Sequence, residues 1–93
     1  MAKLVVREGR NVGWEYVIPP EKSRVVMGRR SANEVPIVDP KSSRDHAEIL
    51  VSGGKLVLRD LKSRNGTFLN DRRVSADQDL EYTDKIKIGD TVV

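Results

Sequence analysis

The chain is 93 residues long, enough for one hydrophobic core and no more. It contains no cysteine, which excludes disulfides, thiolate metal sites and thiol nucleophiles. Its 17 basic and 14 acidic residues leave a net charge of +3. They interleave without a basic block, so nucleic acid is not indicated and a mildly anionic partner suits the chain better.

The hydrophobic period is two. Leu56 and Leu58 alternate with Lys55, Val57 and Arg59, and Ile86 and Ile88 with Lys85 and Lys87. In chain order the pattern predicts strands at Leu4–Val6, Trp14–Ile18, Arg24–Met27, Val35–Val38, Ala47–Val51 and Lys55–Arg59. It continues with Thr67–Leu69, Arg72–Val74, Asp79–Tyr82, Lys85–Ile88 and Thr91–Val93. Turn formers separate them, among them Pro19–Pro20, Asp39–Ser43, Gly53–Gly54, Ser63–Gly66 and Asn70–Asp71. No segment has the 3.6-residue period of an amphipathic helix. About eleven short strands with frequent turns describe an all-β sandwich or barrel. There is no repeat or linker, so residues 1–93 read as a single domain. The chain stops at Val93 inside a predicted strand, which suggests either a piece of something longer or a short final strand. The apolar run between Lys3 and Arg7 is too short for a signal peptide, and nothing approaches a membrane span. A soluble, cytoplasmic protein is expected.

Three loops mix turn formers with donors suited to phosphate. They are Gly28-Arg29-Arg30-Ser31, Ser42-Ser43-Arg44-Asp45-His46 and Ser63-Arg64-Asn65-Gly66-Thr67. Arginine presents a planar fork that matches two phosphate oxygens at once. Serine adds a short hydroxyl donor, and the Asn-Gly turn leaves an exposed asparagine with both amide functions free. Singly, none of these is specific. Together, Gly28-Arg29, Ser43-Arg44-x-His46, Asp60-Leu61-x-Ser63-x-Asn65-Gly66-Thr67, Asn70 and Leu80…Ile88-Gly89-Asp90 resemble the forkhead-associated (FHA) domain over nearly all of residues 3–93.

The resemblance implies an eleven-stranded β-sandwich of two twisted sheets, whose loops at one end bind an extended phosphothreonine peptide. It implies that Arg29, Ser43 and Arg44 meet the phosphate and that Arg64 and Asn65 meet the peptide. Gly28, His46, Gly66 and Asn70 would shape the loops. Lys41 would help to read the residue three places after the phosphothreonine, where an acid is expected. Two positions depart from the family pattern: Ser42 replaces a usual aliphatic residue, and Asp71 a common glycine.

Rival readings fall short on chemistry. His46 as a base for Ser43, with Asp45 as orienter, lacks an oxyanion hole, and an extended segment would send the two side chains to opposite faces. His46 reads instead as a buried buttress of the Ser43 loop. Trp14 and Tyr16 read as packing residues rather than a base-stacking platform. One histidine, no cysteine and an Asp77-Gln78-Asp79 run without calcium-loop spacing give no metal site. Gly53-Gly54 is a hairpin turn, not a nucleotide loop. The expectation is therefore a non-enzymatic, cofactor-free and monomeric module whose partner is a phosphothreonine protein, not nucleic acid or membrane. The alternatives are a phospho-independent scaffold of the same fold and, behind it, a basic nucleic-acid-binding β-domain.

Overall fold

The computed structural model describes residues 2–93. Eleven strands appear: β1 (Lys3–Val5), β2 (Glu15–Val17), β3 (Arg24–Gly28), β4 (Val35–Pro36), β5 (Ala47–Ser52), β6 (Lys55–Asp60), β7 (Phe68–Leu69), β8 (Arg72–Arg73), β9 (Gln78–Leu80), β10 (Ile86–Ile88) and β11 (Thr91–Val92). One layer is the five-stranded sheet β4-β3-β5-β6-β9; the other is built on β11-β10-β7-β8. The β1–β2 hairpin extends the second layer through a bridge between Glu8 and Val92. The period of two places Val25, Met27, Ile49 and Leu58 from one sheet against Ile86 and Ile88 from the other, all essentially inaccessible. The sandwich expected from the sequence is the sandwich observed.

The differences lie at strand ends and have local causes. The run Val35–Val38 yields only a two-residue strand, parallel to β3. An Asp39 N–H donates to the Ile37 carbonyl at 3.0 Å and bends the chain, so Val38 faces solvent. Tyr82 lies outside β9 because Glu81–Asp84 closes a turn. The Asp84 carboxylate accepts the Glu81 N–H at 2.8 Å, and Tyr82 is left exposed. Trp14 precedes β2 and is also exposed. In the β7–β8 hairpin, Leu69 pairs with Arg72. The two intervening residues, Asn70 and Asp71, hold φ of 48° and 71°, the signature of a type I′ turn.

Candidate functional site

At one end of the sandwich, β3 runs out beside the loop that leads into β5. A Cβ on Gly28 would stand 2.1 Å from the Arg44 carbonyl oxygen, so only glycine admits this approach. The ladder then continues past the strand: the Arg29 N–H donates to Ser43 O at 3.0 Å and the Arg30 N–H to Arg44 O at 3.2 Å. The Asn33 side chain adds a bond to the same Arg44 carbonyl at 2.8 Å.

Ser43 joins the three predicted loops. Its carbonyl holds Arg29, its Oγ accepts the Arg64 N–H at 3.1 Å, and its N–H donates to His46 Nδ1 at 3.0 Å. Because Oγ accepts from Arg64, the hydroxyl proton is left free to donate to a further acceptor. Ser42 is buried and donates its hydroxyl to Ser43 O at 2.9 Å, which accommodates a polar residue at that departure from the family pattern.

His46 is inaccessible, as expected of a buttress. Its Nε2 lies 2.8 Å from Gly66 O. Since the carbonyl can only accept, Nε2 carries the proton and Nδ1 accepts from Ser43, which fixes a neutral tautomer. Burial pushes the imidazole pKa below its ordinary value, outweighing the Gly66 carbonyl and the Asp60 charge that favour protonation. The segment from Ser43 to His46 bends at Arg44 and Asp45 rather than running extended, so the expectation of opposite faces does not hold. Both ring nitrogens are nevertheless engaged by backbone groups, which leaves none for the Ser43 hydroxyl.

The third loop is held from beneath by Asp60. One carboxylate oxygen accepts the hydroxyls of Ser63 and Thr67, and the other the Ser63 N–H at 3.1 Å. Ser63 Oγ in turn accepts the Gly66 N–H at 3.1 Å. Burial alone would raise the Asp60 carboxyl, but these bonds and His46 hold it below its ordinary value. Gly66 takes φ of 87°, with the Arg73 guanidinium lying against it. Asn70 also supports structure: its amide bonds the Asp84 carboxylate and the Lys85 N–H, both at 2.9 Å.

Asn65 differs from expectation. Its Nδ2 donates one N–H to the Lys41 carbonyl at 2.7 Å, so the amide is held at that end, and Oδ1 and the second N–H are what remain free. The Lys41 ammonium pairs with Asp90 at 3.2 Å on the exposed surface. Lys41 and Asn65 border a hollow of about 400 Å³ shared with Phe68, Asp71, Lys87 and Gly89. Arg30 faces Asp45 at 3.6 Å. Among the described residues, Arg29, Arg44 and Arg64 are exposed and have no carboxylate within 4 Å.

The FHA domain family model matches residues 25–89. The chain belongs to the forkhead-associated domain family. It is 33% identical over 88 residues to the oxoglutarate dehydrogenase inhibitor of Corynebacterium efficiens, covering 95% of this chain and 60% of that protein. It spans between 54% and 60% of the length of that relative, of its Corynebacterium glutamicum counterpart and of a glycogen accumulation regulator from Mycolicibacterium smegmatis. A domain solved in a study of phosphothreonine-dependent FHA interactions superposes with a TM-score of 0.85 at 28% identity, over 97% of this chain and 88% of that one. The N-terminal FHA domain of Rad53p from Saccharomyces cerevisiae, solved with a phosphothreonine peptide, gives 0.66 at 31% identity, over 74% of this chain and 62% of that one. Among the described residues no helix is long and apolar enough to cross a membrane.

Proposed function

We propose that this chain is a phosphothreonine-dependent interaction module that binds an extended peptide across the Ser43-centred loops and performs no reaction on it. The observation that carries the reading is the Ser43 hub. It fixes the backbones of Arg29 and Arg64 on one serine whose hydroxyl proton is not spent within the site, while the guanidiniums of Arg29, Arg44 and Arg64 have no internal counter-charge. Arg29, Ser43 and Arg44 are assigned to the phosphate, and Arg64 and Asn65 to the peptide. Asn65 Oδ1 accepts a peptide N–H. The hollow beside Lys41 takes a later side chain, and an acidic one suits Lys41 and Lys87.

Charge-assisted hydrogen bonds contribute about 1.5–3 kcal/mol each. Two or three of them, offset by the ordering of the peptide, give an affinity on the order of micromolar. The relatives support this reading, since an FHA neighbour has been solved with a phosphothreonine peptide, another with a phosphopeptide, and longer relatives are named as an inhibitor and a regulator. Residues 1–93 act as one monomeric unit in the cytoplasm, where protein kinases supply the mark.

An oriented phosphothreonine peptide library, with its unphosphorylated counterpart as control, tests the proposal. Selective retention of the phosphorylated pool supports it. Equal retention of both pools points to a phospho-independent scaffold and overturns it.

A further inference from the structure

Asp39 lies outside the residues assigned to the phosphate, yet it is buried and both of its carboxylate oxygens accept a backbone N–H. Oδ1 accepts the Lys41 N–H at 2.9 Å and Oδ2 accepts the Asp90 N–H at 2.7 Å. Its backbone carbonyl takes the Ser42 N–H at 3.0 Å. The turn between β10 and β11 is shaped around it. A Cβ on Gly89 would stand 2.6 Å from Asp39 Oδ2, and Gly89 adopts φ of 60°. One carboxylate thus ties the Gly89–Asp90 turn to the peptide unit on the N-terminal side of Lys41. The carbonyl on the C-terminal side of Lys41 accepts Asn65 Nδ2 at 2.7 Å.

From this chain of bonds we infer that Asp39 is a positioning residue for ligand recognition, acting through Lys41 to fix which end of the Asn65 amide faces the peptide. The physical reason is an asymmetry of the amide. Lys41 O can only accept, so a fixed Lys41 carbonyl forces Nδ2 inward and presents Oδ1 outward. Oδ1 is an acceptor and suits a peptide N–H; the flipped amide would present a donor and repel it. Asn65 is exposed, and the Lys41 carbonyl is its only side-chain partner among the described residues. The orientation of the amide therefore depends on whether Lys41 is held. Asp39 holds it from a second turn of the fold, which makes the Gly89–Asp90 turn part of the recognition apparatus, although Asp39 itself lies outside the hollow.

The inference rests on the proposed phosphopeptide reading, and a double-mutant cycle tests it with the phosphothreonine peptide selected from the library. Asp39→Asn keeps the shape but replaces one acceptor oxygen with a donor that opposes an N–H. In the wild-type background it should weaken binding about three- to tenfold, the range for one hydrogen bond. In the Asn65→Ala background it should weaken binding less than about twofold, because the group it orients is gone. Equal losses in both backgrounds mean that Asp39 acts by general destabilisation, and they overturn the inference.

A second readout does not need the ligand. In the nitrogen–proton NMR spectrum, the Asn65 side-chain amide should show one protected, well-dispersed proton in the wild type. In Asp39→Asn it should collapse toward solvent values while core signals stay in place. An unchanged Asn65 amide overturns the inference, even for a chain that binds no phosphopeptide and so fails the functional reading on its own. If Asp39→Asn folds too weakly to titrate, Asp39→Glu serves instead. It keeps both oxygens but displaces them by one methylene, and the same cycle and spectrum apply.

Discussion

Replacing His46 with alanine removes a ring that bonds two loops at once. The bonds lost are those from the Ser43 N–H to Nδ1 and from Nε2–H to the Gly66 carbonyl. The residue is fully buried, so the two backbone groups would be stranded away from bulk solvent. A stranded donor or acceptor costs about 1–3 kcal/mol. The vacated imidazole space can admit a water that bridges both groups, which moves the cost toward the lower end. The expected destabilisation is therefore about 2–4 kcal/mol, taken over the two groups. For a chain of this size each kcal/mol lowers the melting temperature by roughly 4–8 °C, so a fall of about 8–32 °C is expected in a calorimetric scan. Phosphopeptide affinity should fall as well, because Ser43 and Gly66 belong to the two loops that present the candidate site. Hydrogen exchange at the Ser43 amide should rise more than exchange in β5 or β6. A melting temperature within about 3 °C of wild type would refute the reasoning, since it implies less than about 1 kcal/mol for both bonds together.

Arg29→Ala should abolish measurable phosphopeptide binding by calorimetric titration and leave the melting temperature within about 2 °C, because an exposed arginine without a partner contributes little to stability. Asp71→Gly should stabilise the chain by about 1 kcal/mol in urea unfolding, since Asp71 holds φ of 71° in the β7–β8 turn; a lower urea midpoint would contradict the assignment of strain there. Stability should fall on acidification in two stages. The native His46 resists protonation while the unfolded one titrates near its ordinary value of 6.5, so stability is lost as pH drops below about 6.5. Asp60 is held below its ordinary value of 3.8, so its contribution is present above that value and lost as pH falls through the native one. Urea midpoints between pH 7.5 and 3 would show this, the first stage should vanish in His46→Ala, and a midpoint that rises on acidification would contradict both assignments.

Eleven strands were legible because the period of two and the turn formers are local signals, carried by residues a few places apart. What was misread is non-local or end-dependent. The Val35–Val38 run reads as one strand, but the bend at Asp39 shortens it. Glu48 sits in an apolar run and is 4% exposed, a placement that only Arg24 and Arg59 on the neighbouring strands make tolerable. The spacing of Ser43 and His46 suggests opposite faces if the segment is taken as extended, yet a bend at Arg44 and Asp45 brings the ring back to the Ser43 amide. The Asn-Gly signal correctly marks a turn, but the use of Asn65 Nδ2 depends on Lys41, 24 residues away. Asp60 and Thr67 are visible as members of a motif, and only the folded loop shows their task of holding it from below.

The candidate site treats its polar groups in two opposite ways, and the contrast explains how so small a domain could bind a charged ligand. The inward groups, His46, Asp39, Asp60 and Thr67, are matched donor to acceptor and knit three loops into one surface. The outward groups, Arg29, Arg44 and Arg64, are left without counter-charges. Pairing those arginines internally would add little stability at the surface and would have to be undone before a phosphate could bind. Leaving the loops unpaired would require their ordering on every encounter, which subtracts from affinity. Satisfied bonds beneath and unsatisfied charge above remove both costs. The binding free energy then needs to offset only the ordering of the peptide and the desolvation of its phosphate.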